Sequence, residues 1–277
     1  MSDYLNQVNE AKGFLEKKLP FRPQVTLMLG TGLGGVVEAM DIELSAKYDE
    51  IPNFPVSTAP DHKGVLYVGR VGNTKCALFQ GRFHFYEGYS TKELTLPVRV
   101  MSLLGSTLLI ACNAAGGLNL SFESGDLMLI KDHINLIPES PLRGENIDEW
   151  GPRFPDMSKA YSEDMIKLAR RVGASSGILL REGVFVCVPG PQLETPAETR
   201  YLRLIGGDAV AMSLVPEVIV AVHSGMKVLG ISVIANVNNP DDFTPILIED
   251  VIEQAQRAEK KLEKLLVGFL TEYDEDK

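Results

Sequence analysis

The feature that most constrains this chain is a series of short apolar runs, each of strand length and several stopped by glycine, an amide or a basic residue. The first, Val25–Leu29, runs directly into Gly30-Thr31-Gly32-Leu33-Gly34-Gly35. Further runs at residues 65–68, 75–80, 107–112, 127–130, 183–188 and 227–235 read as buried strands. Between them lie segments of helical period. Residues 4–18 place Val8, Ala11, Phe14 and Leu15 at helical spacing. Ser90 and Glu93 have capping-box spacing ahead of residues 94–104, which Pro97 interrupts. Residues 249–270 carry a stripe of Val251, Ala255, Ala258, Leu262, Leu265 and Phe269 amid charges. Strands alternating with helices predict an α/β fold.

At 277 residues and 45% hydrophobic content the chain can bury a substantial core. No internal repeat or interdomain linker is visible, so one domain is expected over residues 1–277, with a helix inside 1–20 and a frayed acidic tail at 271–277. No apolar stretch approaches the roughly 18 residues of a membrane span. The start, Met1-Ser2-Asp3-Tyr4, has no basic segment leading into an apolar one, and a cytoplasmic location is expected. Cys76, Cys112 and Cys187 fall inside strand-like runs and lack metal-ligand spacing, which predicts core thiols. The formal charge of −10 argues against nucleic acid and anionic membranes as partners, yet permits a small anionic substrate. Residues 139–156, rich in Pro, Gly and charge and holding the single tryptophan, Trp150, are long for a loop without a task.

The segments that follow the strands carry the chemistry. Residues 30–35 satisfy Gly-x-Gly-x-x-Gly, with Glu50 near where a ribose-binding acid would be sought, so dinucleotide binding stands beside a simpler anion-binding turn of bare N–H groups. In Gly81-Arg82-Phe83-His84-Phe85-Tyr86-Glu87-Gly88, alternation puts Arg82, His84 and Tyr86 on one side and both phenylalanines on the other. An arginine fork suits phosphate oxygens, and an Arg82–Glu87 ion pair is the structural alternative. His62 is the other histidine of interest, whereas His133 and His223 read as structural. Asn113-Ala114-Ala115-Gly116-Gly117 would let main-chain N–H groups reach a ligand, or would form a glycine turn. Glu194, after one strand, can accept from N1–H of a 6-oxopurine, and the amides of Asn236 and Asn238, after another, suit O6 and N7.

Taken in order, residues 30–35, 51–64, 81–88, 113–119, 132–135, 190–200, 208–220 and 235–238 closely resemble the trimeric class of purine nucleoside phosphorylases, a family that also contains methylthioadenosine phosphorylase. The resemblance implies a three-layer α/β/α domain with a mixed, partly barrel-like sheet, a homotrimer, a purine nucleoside and inorganic phosphate as substrates, and neither metal nor organic cofactor. It implies phosphate contacts from Thr31, His62, Arg82, His84, the Ala114 main chain and Ser213. Ribose contacts would come from Tyr86, Met212 and a neighbouring subunit's Trp150, and base contacts from Glu194, Asn236 and Asn238. Asn236, Glu194 and His84 would act in catalysis. Ile248 stands where many relatives place a histidine for the ribose 5′-hydroxyl, which resembles the methylthio branch, while Asn236 and Asn238 favour a 6-oxopurine.

Overall fold

A computed structural model of the chain describes residues 3–30, 33–58, 62–243 and 248–275, without the side chains of residues 248–251. Its strands are β1 (Val25–Leu29), β2 (Asp41–Lys47), β3 (Val65–Val71), β4 (Thr74–Gln80), β5 (Leu108–Gly117), β6 (Leu127–Asn135), β7 (Leu180–Cys187), β8 (Ala209–Ala211) and β9 (Lys227–Val237). The helices are α1 (Asp3–Glu16), α2 (Thr91–Leu103), α3 (Glu163–Ser175), α4 (Pro196–Leu204), α5 (Val215–His223) and α6 (Ile248–Glu272). The strands form one mixed sheet in the order β2-β3-β4-β1-β5-β8-β7-β6-β9, and β9 pairs back onto β5. That last pairing closes β5, β8, β7, β6 and β9 into a barrel-like ring from which the other four strands extend as an open sheet.

Helices α1, α2 and α5 pack together, and α3 packs on α6. Because α5 and α6 both lie on β5 and β9, the central strands are covered by helices. All five residues of β1 are buried, and so are Val228–Ala235 of β9, which explains why these segments read as continuous apolar runs rather than alternating ones. The Ser90–Glu93 capping box forms as expected, and Pro97 lies inside a continuous α2.

Four differences from the sequence reading have physical causes. β5 continues through Gly117, so residues 113–117 are strand rather than turn; β9 runs parallel beside them and shifts register between Ala115 and Gly116. β2 is an edge strand with five exposed residues, so it lacks an apolar signature. α5 is apolar on nearly all sides and lies in the core, where no amphipathic stripe is needed. The acidic end is docked, not frayed, as far as it is described: Tyr273 is buried, and Glu275 accepts from Arg22 at 3.1 Å, Gln24 at 2.9 Å and Thr107 at 2.9 Å. The topology also removes the dinucleotide reading. β1 is followed by a short 3₁₀ segment, Gly34–Ala39, and by β2 at the far edge of the sheet, where a dinucleotide site would need a helix and a parallel neighbour.

Candidate active site

β1, β4, β5 and β9 run parallel, so the segments that follow them emerge at one edge of the sheet. There they surround a cavity lined by Gly30, Arg82, His84 and Tyr86 on one side, by Asn113–Gly116 along β5, and by Met212, Ser213, Glu194, Asn236 and Asn238 elsewhere. Of the residues expected from the sequence, these come together. Thr31 lies outside the described residues, as does the side chain of Ile248, although the next turn of α6 supplies an apolar wall through Ile252.

Arg82 is fully buried, which a lone guanidinium does not tolerate. Its Nη1 donates to Ser213 Oγ at 3.0 Å and its Nη2 to the Met28 carbonyl at 3.0 Å. The compensating charge is Glu217, whose Oε1 lies 3.7 Å from Nε, and not Glu87. Glu217 is 1% exposed, and neither carboxylate oxygen has a hydrogen-bond partner among the described residues. Its surroundings in α5 are apolar, so sequence reasoning had no signal for it.

Ser213 is held toward Arg82 by unusual backbone. Leu214 has φ +80° and ψ −46°, and Val215 N–H donates to the Ser213 carbonyl at 3.1 Å. This is the rare classic γ-turn, adopted here by a fully buried leucine. Such strain costs on the order of 1–3 kcal/mol and persists where the surroundings over-determine it. It lets α5 begin immediately after a residue that faces the cavity.

Glu87 belongs to His84. Its Oε1 accepts from both the backbone N–H and Nδ1 of His84 at 2.8 Å, and its Oε2 accepts from Thr58 N–H and Oγ1 at 2.6 Å. Burial raises the Glu87 carboxyl, but these hydrogen bonds outweigh it and bring the pKa down to about 2. With Nδ1 committed to Glu87, His84 presents Nε2 as its other ring nitrogen. The His84 ring stacks on Tyr86 at 4.7 Å and on His62 at 5.1 Å. His62, which does not line the cavity, is lowered to about 4 by burial and by His84, and is neutral at pH 7. Burial lifts the Tyr86 phenol to about 12, so it stays protonated.

The opposite wall is built of amides and one carboxylate. Asn236 Nδ2 donates to Asn238 Oδ1, which fixes the orientation of both amides and leaves Asn236 Oδ1 as an acceptor beside its second N–H. Asn238 can sit there because position 116 is glycine: a Cβ would lie 3.0 Å from Asn238 Nδ2. Glu194 is half-buried, and burial raises its carboxyl pKa. Met212 packs against Gly190, whose φ of +64° and contact with the Met212 sulfur leave no room for a side chain. Asn113 is an addition to the expected set: it lines the cavity, its Oδ1 accepts from Ser232 at 2.8 Å, and its buried Nδ2 has no partner among the described residues.

Trp150 does not line the cavity of its own chain. It packs edge-on against Tyr4 at 5.9 Å and under the Arg99 guanidinium at 5.0 Å, lining a different pocket. On the same loop it is Phe154 that stands free, at 87% exposure.

The pattern of the phosphorylase superfamily matches residues 25–271. A purine nucleoside phosphorylase from Bacillus subtilis is 45% identical over 269 residues, covering 97% of this chain and 99% of that protein. One from Bos taurus is 48% identical over 252 residues, covering 88% and 87%. A schistosomal purine nucleoside phosphorylase crystallised with hypoxanthine superimposes with a TM-score of 0.92 at 35% identity, covering 97% of this chain and 98% of that one.

Proposed function

Because this chain belongs to the phosphorylase superfamily, and within it is a purine nucleoside phosphorylase that transfers a pentosyl group using phosphate, we propose that its cavity cleaves 6-oxopurine nucleosides such as inosine and guanosine. The observation that carries this reading is that Arg82, Ser213 and His84 line the same cavity as Glu194, Asn236 and Asn238. The first set suits a phosphate dianion, with Gly30 and the Ala114 main chain beside it and His62 stacked behind His84; we keep Thr31 as a further phosphate contact, to be tested by substitution. The second set suits a purine edge. The free N–H of Asn236 donates to the O6 and N7 edge, while Glu194 accepts from N1–H. A 6-amino group would meet the amide donors of Asn236 and Asn238 instead.

Tyr86 and Met212 hold the ribose between the two sets. Phosphate attacks C1′ as the glycosidic bond breaks, and the electron pair leaves with the base. The bonds from Asn236 strengthen as charge develops there, so they act on the transition state more than on the ground state. Glu87 holds Nδ1 of His84 and so leaves Nε2 as the ring nitrogen that faces phosphate. No metal or organic cofactor enters this scheme. We further place the protein in the cytoplasm as a homotrimer, in which a loop aromatic of one subunit reaches its neighbour's ribose.

A second reading keeps the chemistry and changes the 5′ end, because Ile252 gives the cavity an apolar wall that suits a methylthio group. Assaying inosine, guanosine, adenosine and 5′-methylthioinosine with and without phosphate separates the two. A hydrogen bond to a charged group contributes about 1.5–3 kcal/mol, so Asn236→Ala lowers kcat/KM for inosine about ten- to 150-fold. Near-normal turnover of inosine by that variant refutes the assignment of the base.

A further inference from the structure

A second pocket lies between α2 and the 139–156 loop, where Lys92, Arg99, Arg143, Glu145, Trp150 and His223 line one space. Three cations therefore face one carboxylate. Arg99 is 3% exposed, and its Nε has no hydrogen-bond partner among the described residues. Its other nitrogens bind neutral groups: Nη1 donates to Ser224 Oγ at 2.6 Å, and Nη2 donates to His223 Nδ1 at 2.9 Å. Since arginine can only donate, His223 Nδ1 must accept, and its proton sits on Nε2 facing Asn146 Oδ1 at 3.3 Å. Burial and Arg99 hold that imidazole at a pKa of about 4, so it adds no charge at pH 7.

None of Lys92, Arg99 and Arg143 makes an ion pair within 4.0 Å among the described residues. This contrasts with Arg82, which is equally buried and has Glu217. The C-terminus of α5, which ends at His223, offers Arg99 about half a unit of negative charge, too little to balance the cluster. Lys92 is half-buried at the rim, 5.7 Å from the Tyr4 ring, and Arg143 is exposed. A buried cation at the base and two cations at the mouth form a receptor for a small, multiply charged anion.

We propose that this pocket, based on Arg99 and rimmed by Lys92 and Arg143, is a second anion site that takes a phosphate group, as inorganic phosphate or as the phosphate of a pentose phosphate. It lies at the end of α5 remote from Ser213, about 13 Å along the helix.

Trp150, the single tryptophan, lines the pocket and reports on it directly. Titrating the full-length protein with inorganic phosphate or ribose 5-phosphate, against chloride at matched ionic strength, should produce a saturable change in its emission. The change should survive Arg82→Met, which disables the catalytic clamp, and Lys92→Ala/Arg143→Ala should raise the apparent Kd at least tenfold. A response to phosphate alone identifies the free ion as ligand, and tighter binding of ribose 5-phosphate identifies the ester. The proposal is overturned if emission does not respond, or if the response is lost with Arg82→Met and kept with Lys92→Ala/Arg143→Ala. It is equally overturned if emission follows protein concentration instead of phosphate, because a carboxylate of a second copy then fills the pocket.

Discussion

Replacing Arg82 by methionine separates what this residue does for the fold from what it does for phosphate. Arg82 and Glu217 are 0% and 1% exposed, so removing the guanidinium leaves a carboxylate in the core with no other ion pair among the described residues. Breaking a buried pair from one side costs about 3–5 kcal/mol, whereas replacing both members with apolar residues is often neutral. For a chain of this size each kcal/mol moves the melting temperature by about 2–4 °C. Arg82→Met should therefore melt roughly 6–20 °C below the parent, and Arg82→Met/Glu217→Met should recover most of that loss. Catalysis should not recover with it. Losing a charge-assisted bond to phosphate removes about 1.5–3 kcal/mol, or about ten- to 150-fold in kcat/KM for phosphate, in the single and double variants alike. The assay is inosine phosphorolysis over a range of phosphate concentrations, run beside thermal melting. A double variant no more stable than Arg82→Met would refute the ion-pair argument, and an unchanged phosphate dependence would refute the clamp.

Two other outcomes can be checked independently. His62 and His223 are both neutral in the fold, with pKa values lowered from 6.5 to about 4, so the unfolded chain gains protons first as pH falls and stability declines between pH 6.5 and 4. Glu87, held at about 2, still contributes across that window; a flat melting temperature from pH 6.5 to 4 would show that the histidines are not buried as described. On the 139–156 loop, Phe154→Ala should raise KM for nucleoside severalfold without lowering stability, while Trp150→Ala should lower the melting temperature by removing contacts with Tyr4 and Arg99. Steady-state kinetics and melting curves on the same preparations decide this, and an unchanged nucleoside KM in Phe154→Ala removes that loop from the ribose site.

The legible parts of the fold were those whose signal is local. β1 matched its apolar run, and α2 was announced by the Ser90–Glu93 capping box. Two of the missed helices had signals of the same kind: Met165, Ile166, Ala169 and Val172 lie on the buried face of α3, and Thr195, Pro196 and Glu198 form a capping box with proline in the first turn of α4. By contrast, residues 113–117 look like a turn in one dimension because glycines and alanines are what two closely approaching strands require. Only the closure of β9 onto β5 reveals that use. The strain at Leu214 has no signature in sequence either, because leucine gives no hint of a positive φ.

Why the candidate site was more legible than the fold follows from the direction of the strands. β1, β4, β5 and β9 are parallel, so whatever follows each of them in sequence is delivered to one edge in space, and reading the segments after the strands amounts to reading the cavity wall. Gly30, Arg82 and His84 follow β1 and β4, Asn238 follows β9, and Ala114 and Asn236 lie in the last residues of β5 and β9. The residues that hold this wall in place do not follow a parallel strand and carry no such mark. Glu217 sits in the first turn of an apolar helix, 135 positions from the arginine it balances, and was indistinguishable from an ordinary surface glutamate until both were seen buried 3.7 Å apart. Chemistry at the cavity wall is thus encoded by position relative to strands, while the electrostatic support behind it is encoded only by the packing of α5 against the sheet.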